Sequence, residues 1–177
     1  MNPIQILQAQ PEHLLALVDL SRETFIDTYE RQNDPLHFWD YVESAFTEEK
    51  LHEELLSPAS LFFLAYYEGG LAGYCKINLN RQVSGLPEEA PHMELERIYV
   101  QKLYKGMGIG KALLDKAIET GQTFGQEYLW LGVWKKNTPS IQWYERQGLA
   151  RFGEQCFLMG ADPQDDWLMY LNLSQYE

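Results

Sequence analysis

The sequence predicts a mixed α/β (α+β) chain, one domain over residues 1–177, and three observations carry that class. Short apolar runs of strand length interleave with longer runs of helical periodicity, in the order strand, helices, three strands, helix, strand, helix, two strands. Residues 93–134 form the one clear strand–helix–strand crossover, so those two strands are expected to be parallel neighbours. The length and a hydrophobic fraction of 45% allow a real core.

Ile4 to Ala9 reads as a short strand. Pro11 suits a first helical turn, and Leu14, Leu17, Val18, Ser21 and Phe25 follow at helical spacing. Asp34-Pro35 opens a second helical stretch. Thr47 caps a third, with Glu48 and Glu49 placed at the positive end of its dipole. Leu61–Tyr67 and Leu71–Leu79 are strands around the hairpin signal Glu68-Gly69-Gly70. Residues 80–92, with Gly85, Pro87 and Pro91, form a loop, and Met93–Val100 is the next strand.

Ile109, Leu113, Ala117 and Phe124 line one face of the following helix, and Tyr128–Trp134 is a strand. Pro139–Gln147 is a short helix with Pro in its first turn and Gly148 just past its end. Two last strands, Ala150–Met159 and Trp167–Leu173, flank a turn at Asp162-Pro163. No internal repeat or low-complexity segment interrupts this order.

The formal net charge is −12 and unevenly placed. Residues 1–60 hold twelve acids against three bases, and the other 117 hold fourteen against eleven. Such a surface repels nucleic acid and anionic membranes and attracts a cationic partner. The simplest reading of the acidic segment is solvated helix faces. Two cysteines, Cys75 and Cys156, are too few for a disulfide framework and read as reduced packing residues. The N-terminus lacks a basic-then-apolar leader, and no apolar run is long enough to span a bilayer, so a cytoplasmic protein is the expectation. His13, His37, His52 and His92 are scattered without metal-ligand spacing, so no metal is expected.

The segment Ile98–Leu114 places Gly106, Gly108 and Gly110 between a strand and a helix. A Walker loop fails here, because the residue five before Gly110 is Lys105 and Ala112 replaces the hydroxyl. A dinucleotide fingerprint fails too, with Lys111 or Leu113 where its last glycine belongs. What remains is a turn whose backbone N–H groups gather at a helix N-terminus, with Lys102, Lys105 and Lys111 nearby, and a pyrophosphate fits that chemistry.

Lys105-x-x-Gly108-x-Gly110 resembles the acetyl-CoA-binding motif of the GNAT superfamily of N-acetyltransferases, which is Gln or Arg, two residues, Gly, one residue, Gly or Ala. Lys105 keeps the charge of that first position without the planar fork of Arg. The run Asn137 to Leu149, NTPSIQWYERQGL, resembles the family's second motif: Asn, a small-residue helix, an aromatic pair with Tyr, then Gly and an apolar residue. Ser140 stands where Ala is common. The two motifs cover residues 93–149 in the family's order. ETFIDTY (Glu23–Tyr29) and MELERIYV (Met93–Val100) are also similar to PaiA-type polyamine N-acetyltransferases, over shorter identities.

The resemblance implies a GNAT fold: a mixed, mostly antiparallel twisted sheet with helices on both faces and a splayed parallel pair. It implies that the strands holding Ile98–Val100 and Leu131–Trp134 part, so that the amide chain of pantetheine bonds to Ile98, Tyr99 and Val100 like a false strand. The pyrophosphate would lie on Lys105, Gly106, Met107, Gly108, Ile109, Gly110 and Lys111. Asn137 would contact the cosubstrate, or cap its helix, and Tyr144 would contact it and protonate the leaving thiolate.

Glu94 and Glu96 share a strand face just upstream, and either is a candidate base acting through water, or a partner of Arg97. Lys135, Lys136 and Arg146 are open candidates for the 3′-phosphate. The expected activity is transfer of acetyl from acetyl-CoA to a primary amine of a small cationic acceptor, a polyamine in the first instance, by direct attack in a ternary complex. In the family the early helices partly wall the acceptor groove, and here they are the acidic ones. The alternatives are a peptide or other small amine as acceptor, a non-catalytic CoA-binding regulatory module, and a nucleotide-binding protein of another fold. A homodimer is an open oligomeric option.

Overall fold

The computed structural model describes residues 3–176. Seven strands, β1 (Ile4–Gln8), β2 (Ser60–Tyr67), β3 (Gly70–Asn78), β4 (His92–Val100), β5 (Tyr128–Trp134), β6 (Ala150–Met159) and β7 (Asp162–Asn172), form one sheet ordered β1-β2-β3-β4-β5-β7-β6. Only β4 and β5 pair in parallel, as the crossover through α4 (Ile109–Thr123) requires. Every other neighbouring pair is antiparallel. The fold is the mixed, mostly antiparallel sheet expected from the sequence.

Helices α1 (Leu14–Tyr29), α2 (Pro35–Ala45) and α3 (Glu48–Leu56) precede β2, and α5 (Thr138–Arg146) follows β5. Their starts are written in the sequence. The Asp34 carboxylate accepts from the Leu36 and His37 amides, and the Thr47 hydroxyl accepts from that of Lys50. Pro11 opens a separate 3-10 turn, Pro11–His13, rather than α1 itself.

Alternation along the strands divides the core between the two faces. On one face α4 lays Ile109, Leu113, Leu114 and Ala117 against Phe63, Cys75, Ile77, Met93, Leu95 and Leu129. On the other, Leu17 and Leu20 of α1 and Leu51 of α3 pack on Phe62, Leu64 and Tyr74. Each such fully buried side chain stabilises by roughly 1.5–3 kcal/mol through water removal. Phe25, Phe38, Val42 and Phe46 form a further cluster where α1 and α2 approach Met159 of β6.

Two irregularities open the middle of the sheet. The β4–β5 ladder runs from His92↔Tyr128 to Glu94↔Trp130 and then stops, while β5 stays paired with β7 as far as Trp134↔Asp166. The β3–β4 ladder passes from Ile77↔Leu95 to Lys76↔Arg97, leaving Glu96 as an extra residue in β4. Such a bulge bends and twists its strand. It also shifts the alternation, so that Met93, Leu95, Ile98 and Val100 all meet the α4 side. Beyond Glu94, β4 follows β3 and β5 follows β7, and a cleft separates them.

Three expectations are corrected. Phe124 is not on the buried face of α4: the helix ends at Thr123 and the ring is 57% exposed. Cys156 is exposed on the edge strand β6, whereas Cys75 is buried and its thiol is pushed up to about 12 by burial. The last turn is Gly160-Ala161, because Asp162 already pairs with Met159 and Pro163 lies within β7. Pro163 is tolerated there since β5 does not extend alongside it.

Candidate active site

The cleft between β4 and β5 widens into a cavity of about 520 Å³. Ile98, Tyr99 and Val100 form one wall, Lys105, Gly106, Gly108, Ile109, Gly110 and Lys111 the base, and Asn137, Ser140, Trp143 and Tyr144 of the α5 region the other wall. Met107 alone of the residues expected at the cosubstrate takes no part, its side chain being 45% exposed. Trp143 belongs to the cavity as well as to the core: a Cβ on Gly110 would lie 3.5 Å from its ring.

The turn has the geometry of an anion cradle. Gly106 and Gly108 have φ of 83° and 82°, a left-handed conformation that costs an L-residue about 1–2 kcal/mol. A Cβ added at Gly106 would meet nothing within 4 Å, and one at Gly108 only Ile4 Cδ1 at 3.9 Å. The first helical bond of α4 runs from the Ala112 amide to Gly108 O at 3.0 Å. The amides of Ile109, Gly110 and Lys111 therefore precede the ladder, at the positive end of the helix dipole. Open space above free amides, continuous with a slot between parted strands, fits the diphosphate and amide arm of coenzyme A. The Lys111 ammonium is turned along α4, where it bonds Asp115 and, at 3.2 Å, the Tyr176 hydroxyl.

Asn137 caps α5, its side-chain oxygen accepting from the Ser140 amide at 3.4 Å, and it also faces the cavity. Tyr144 packs edge-on to Trp143 with centroids 5.2 Å apart. Burial, and then Tyr29, push its phenol well above the usual range. Tyr29, at the C-terminal end of α1, sits against the Tyr99 and Asn137 side chains and is likewise raised, by burial first.

A second cavity, about 140 Å³, adjoins the first; Tyr29, Glu96, Tyr99 and Gly132 line both. Its α1 and α2 walls are aromatic (Phe25, Tyr29, Tyr41), and Trp134 and Phe157 close the far side. Its carboxylates come from the sheet: Glu94 and Glu96 of β4 and Asp166 of β7. The early helices wall it with these aromatic side chains, while their exposed acids do not line it.

Glu94 and Glu96 do share a face, as Asn78 Nδ2 donates to both, at 2.8 and 2.7 Å. Their surroundings differ. Glu96 pairs with Lys76 at 2.6 Å and Arg97 at 3.4 Å, and Glu54 of α3 binds the same two cations at 3.3 and 3.0 Å. Burial acts to raise the Glu96 carboxyl, but Arg97 and Lys76 outweigh it and hold it below the usual range. Among the described residues the Glu94 carboxylate reaches Asn78 and, at 3.8 Å, Arg81. Burial raises it, with Glu96 adding to the shift and Asn78 opposing it.

Sequence reasoning missed Tyr29, the Lys76–Glu54 half of the ion network and Asp166. Tyr29 ends the ETFIDTY run that carried the finer resemblance, so a signal existed there. His92, given no ligand role, is buried with Nδ1 accepting from the Val83 amide at 3.3 Å and Nε2 donating to Pro87 O at 2.9 Å. Among the described residues no group of three or more His, Cys, Asp or Glu could hold a metal ion, and no helix is long and apolar enough to cross a membrane.

The acetyltransferase (GNAT) family matches residues 14–149. An uncharacterized N-acetyltransferase from the pepI 3′ region of Lactobacillus delbrueckii subsp. lactis is 35% identical over 170 residues, covering 96% of this chain and 97% of that one. The spermine/spermidine N(1)-acetyltransferase of Bacillus subtilis is 25% identical over 148 residues, 82% of this chain and 91% of its own. The crystal structure of PaiA N-acetyltransferase from Thermoplasma acidophilum, in complex with coenzyme A, superposes with a TM-score of 0.76 at 21% identity, covering 96% of this chain and 98% of that one. The glycine cradle, the parted strands and a family match over most of the chain agree, and this protein belongs to the acetyltransferase (GNAT) family as an acetyl-CoA-dependent acetyltransferase.

Proposed function

We propose that the acceptor is a small cationic amine, a polyamine in the first instance, acetylated on a primary amine by direct attack with both substrates on the protein. One observation carries the reading: an anion cradle and an aromatic, carboxylate-lined cavity meet at Tyr99 and Glu96. The likeness to a spermine/spermidine acetyltransferase supports the polyamine choice. Acetyl-CoA, when bound, supplies the activated acetyl thioester.

The chain's residues then have separate tasks. The amides of Ile109, Gly110 and Lys111, with the open turn at Gly106 and Gly108, hold the diphosphate. The backbone of Ile98–Val100, without a β5 partner, bonds the amide arm, and Asn137 reaches it from the opposite wall. An alkylammonium near a pKa of ~10.4 must lose a proton at a cost of roughly 4–5 kcal/mol at neutral pH. Glu94, raised by burial and paired only loosely with the exposed Arg81 at 3.8 Å, draws that proton through water in this reading. Glu96 is fixed as an anion by Lys76 and Arg97 and shapes the junction.

Tyr144 faces the leaving group. A phenol raised by burial is a weaker acid than a thiol of pKa ~8.5, so Tyr144 acts as a hydrogen-bond donor to the developing thiolate more than as a full acid.

The test is thiol release from acetyl-CoA across polyamines, monoamines, amino acids, aminoglycosides and short peptides. Spermidine or spermine is expected to give the highest kcat/KM. A higher value on a peptide N-terminus would reassign the acceptor. Coenzyme A binding without turnover on the whole panel would leave a regulatory module.

A further inference from the structure

Asp166 is the charged group of the acceptor cavity that the chemistry above does not use. Its residue is 7% exposed. Its carboxylate receives one long hydrogen bond, from Gln155 Nε2 at 3.4 Å, and makes no ion pair among the described residues. The other cavity carboxylates are provided for: Glu96 by two cations, Glu94 by Asn78.

Space for Asp166 is built in. A Cβ on Gly132 would fall 2.3 Å from Gln155 Nε2 and 3.2 Å from Asp166 Oδ2, so any larger residue would push both side chains out of their present positions over β5. Gly132 is also the floor where the two cavities meet.

The cleft thus has a carboxylate on each bank. Glu94 stands beside Trp130, and Asp166 beside Trp134. Four residues of β5 span about 13 Å at 3.3 Å per residue, and β4 and β7 lie about 10 Å apart across β5, so the two backbones are about 16 Å apart. Less the two side chains and an ammonium–carboxylate contact at each end, that gap is on the scale of an alkyl di- or polyamine, and both carboxylates line the one cavity. Tyr29, Trp134 and Phe157 line the same cavity, and aromatic rings suit an ammonium and its alkyl chain.

We propose that Asp166 is a specificity-determining residue that pairs with a second, protonated nitrogen of the acceptor while the attacking amine lies neutral on the Glu94 bank. The acceptor class is then an alkyl di- or polyamine rather than any amine that fits. This rests on the acceptor cavity assigned above.

The test is calorimetric titration of the coenzyme A-loaded protein with 1,4-diaminobutane, spermidine and butylamine, alongside steady-state kinetics. Wild-type protein is expected to bind the diamine at least tenfold tighter than butylamine. Asp166→Asn should bring that ratio within about twofold, raise KM for spermidine at least tenfold, leave kcat within about threefold and leave butylamine affinity unchanged.

Equal wild-type affinity for diaminobutane and butylamine overturns the proposal without need of a variant. So does a variant that weakens both ligands alike, or one that loses kcat at unchanged KM. Asp166-dependent diamine binding with no acetylation of any amine would remove the transferase reading of the acceptor and keep the pairing. Equal binding and turnover of butylamine and diamine would do the reverse.

Discussion

Glu94 and Glu96 accept hydrogen bonds from the same Asn78 amide group, yet their carboxyls are driven in opposite directions. Burial lifts Glu94, while Arg97 and Lys76 hold Glu96 down. Groups so separated by their surroundings can take different roles. Glu94→Gln should lower kcat/KM by about 10²–10³ and remove its acid limb, because the base works only when ionised and its raised value moves that limb upward. Asn78, Glu96, Arg81 and Lys76 are the groups that set the limb. A pH–rate profile unchanged by Glu94→Gln would remove Glu94 from the proton path.

Glu96→Gln should act on stability first. Its folded carboxyl lies below the unfolded value, so its contribution is present above the unfolded carboxylate range and is lost as pH falls through the lower folded one. Among the described residues, removing one partner of the network leaves Lys76 and Arg97 to pair with Glu54, at a cost of about 1–3 kcal/mol at pH 7. Urea titrations at pH 7 and in acid measure this, and the wild-type and variant midpoints should converge in acid.

Tyr144→Phe should cost about 10²–10³ in kcat with coenzyme A affinity within about threefold, since the ring and its packing on Trp143 remain. The raised phenol stays protonated at working pH, so the basic limb of the profile should not move. An unchanged kcat, or a large loss of affinity, would count against the donor role.

Gly108→Val meets two obstacles. The residue has φ of 82°, where any L-side chain is strained, and its Cβ would enter the open space of the cradle. Gly108→Ala shares the strain and adds less bulk. Both should lose about 1–2 kcal/mol of stability, and Val should in addition weaken coenzyme A at least 100-fold. Equal affinities for wild type and a folded Gly108→Val protein would place the diphosphate elsewhere.

Much of this was legible in the sequence because it rests on local rules. The crossover of residues 93–134, the capped helices and the glycine turn follow from periodicity and from the residues that backbone geometry demands. The parted strands came from the two motifs rather than from periodicity. Long-range pairing was not legible. Glu54 meets Arg97 across 43 residues, and nothing in an acidic helix marks which acid turns inward. The β4 bulge hides in an alternation that slips once, between Leu95 and Ile98. Phe124 kept the helical spacing but lay one residue past the helix end, and Cys156 sat on an edge strand whose outer face is uncovered. Asp166 was missed because DPQDD carries every local mark of a turn, while the pairing of β6 with β7 extends the strand through it.

That pairing leaves Asp166 with a stability consequence. Burial pushes its carboxyl up to about 6, with Gln155 opposing and Asp165 adding to the shift. Tyr29 feels the same charge across the cavity. A carboxyl raised on folding binds its proton more tightly in the folded state than in the unfolded one. Stability therefore falls as pH rises from the unfolded value of about 3.9 toward 6, and is level above that. An isosteric Asn carries no such cost. Allowing for solvent reaching the cavity, Asp166→Asn should be more stable than wild type by about 1–2 kcal/mol at pH 7.5 and equal to it near pH 3.5. Denaturant unfolding at the two pH values measures the difference. A saturating diamine should cancel the advantage by supplying the missing cation to wild type alone. A variant less stable than wild type at pH 7.5 would mean that the charge supports the fold, and that the carboxylate is not held ready for a ligand.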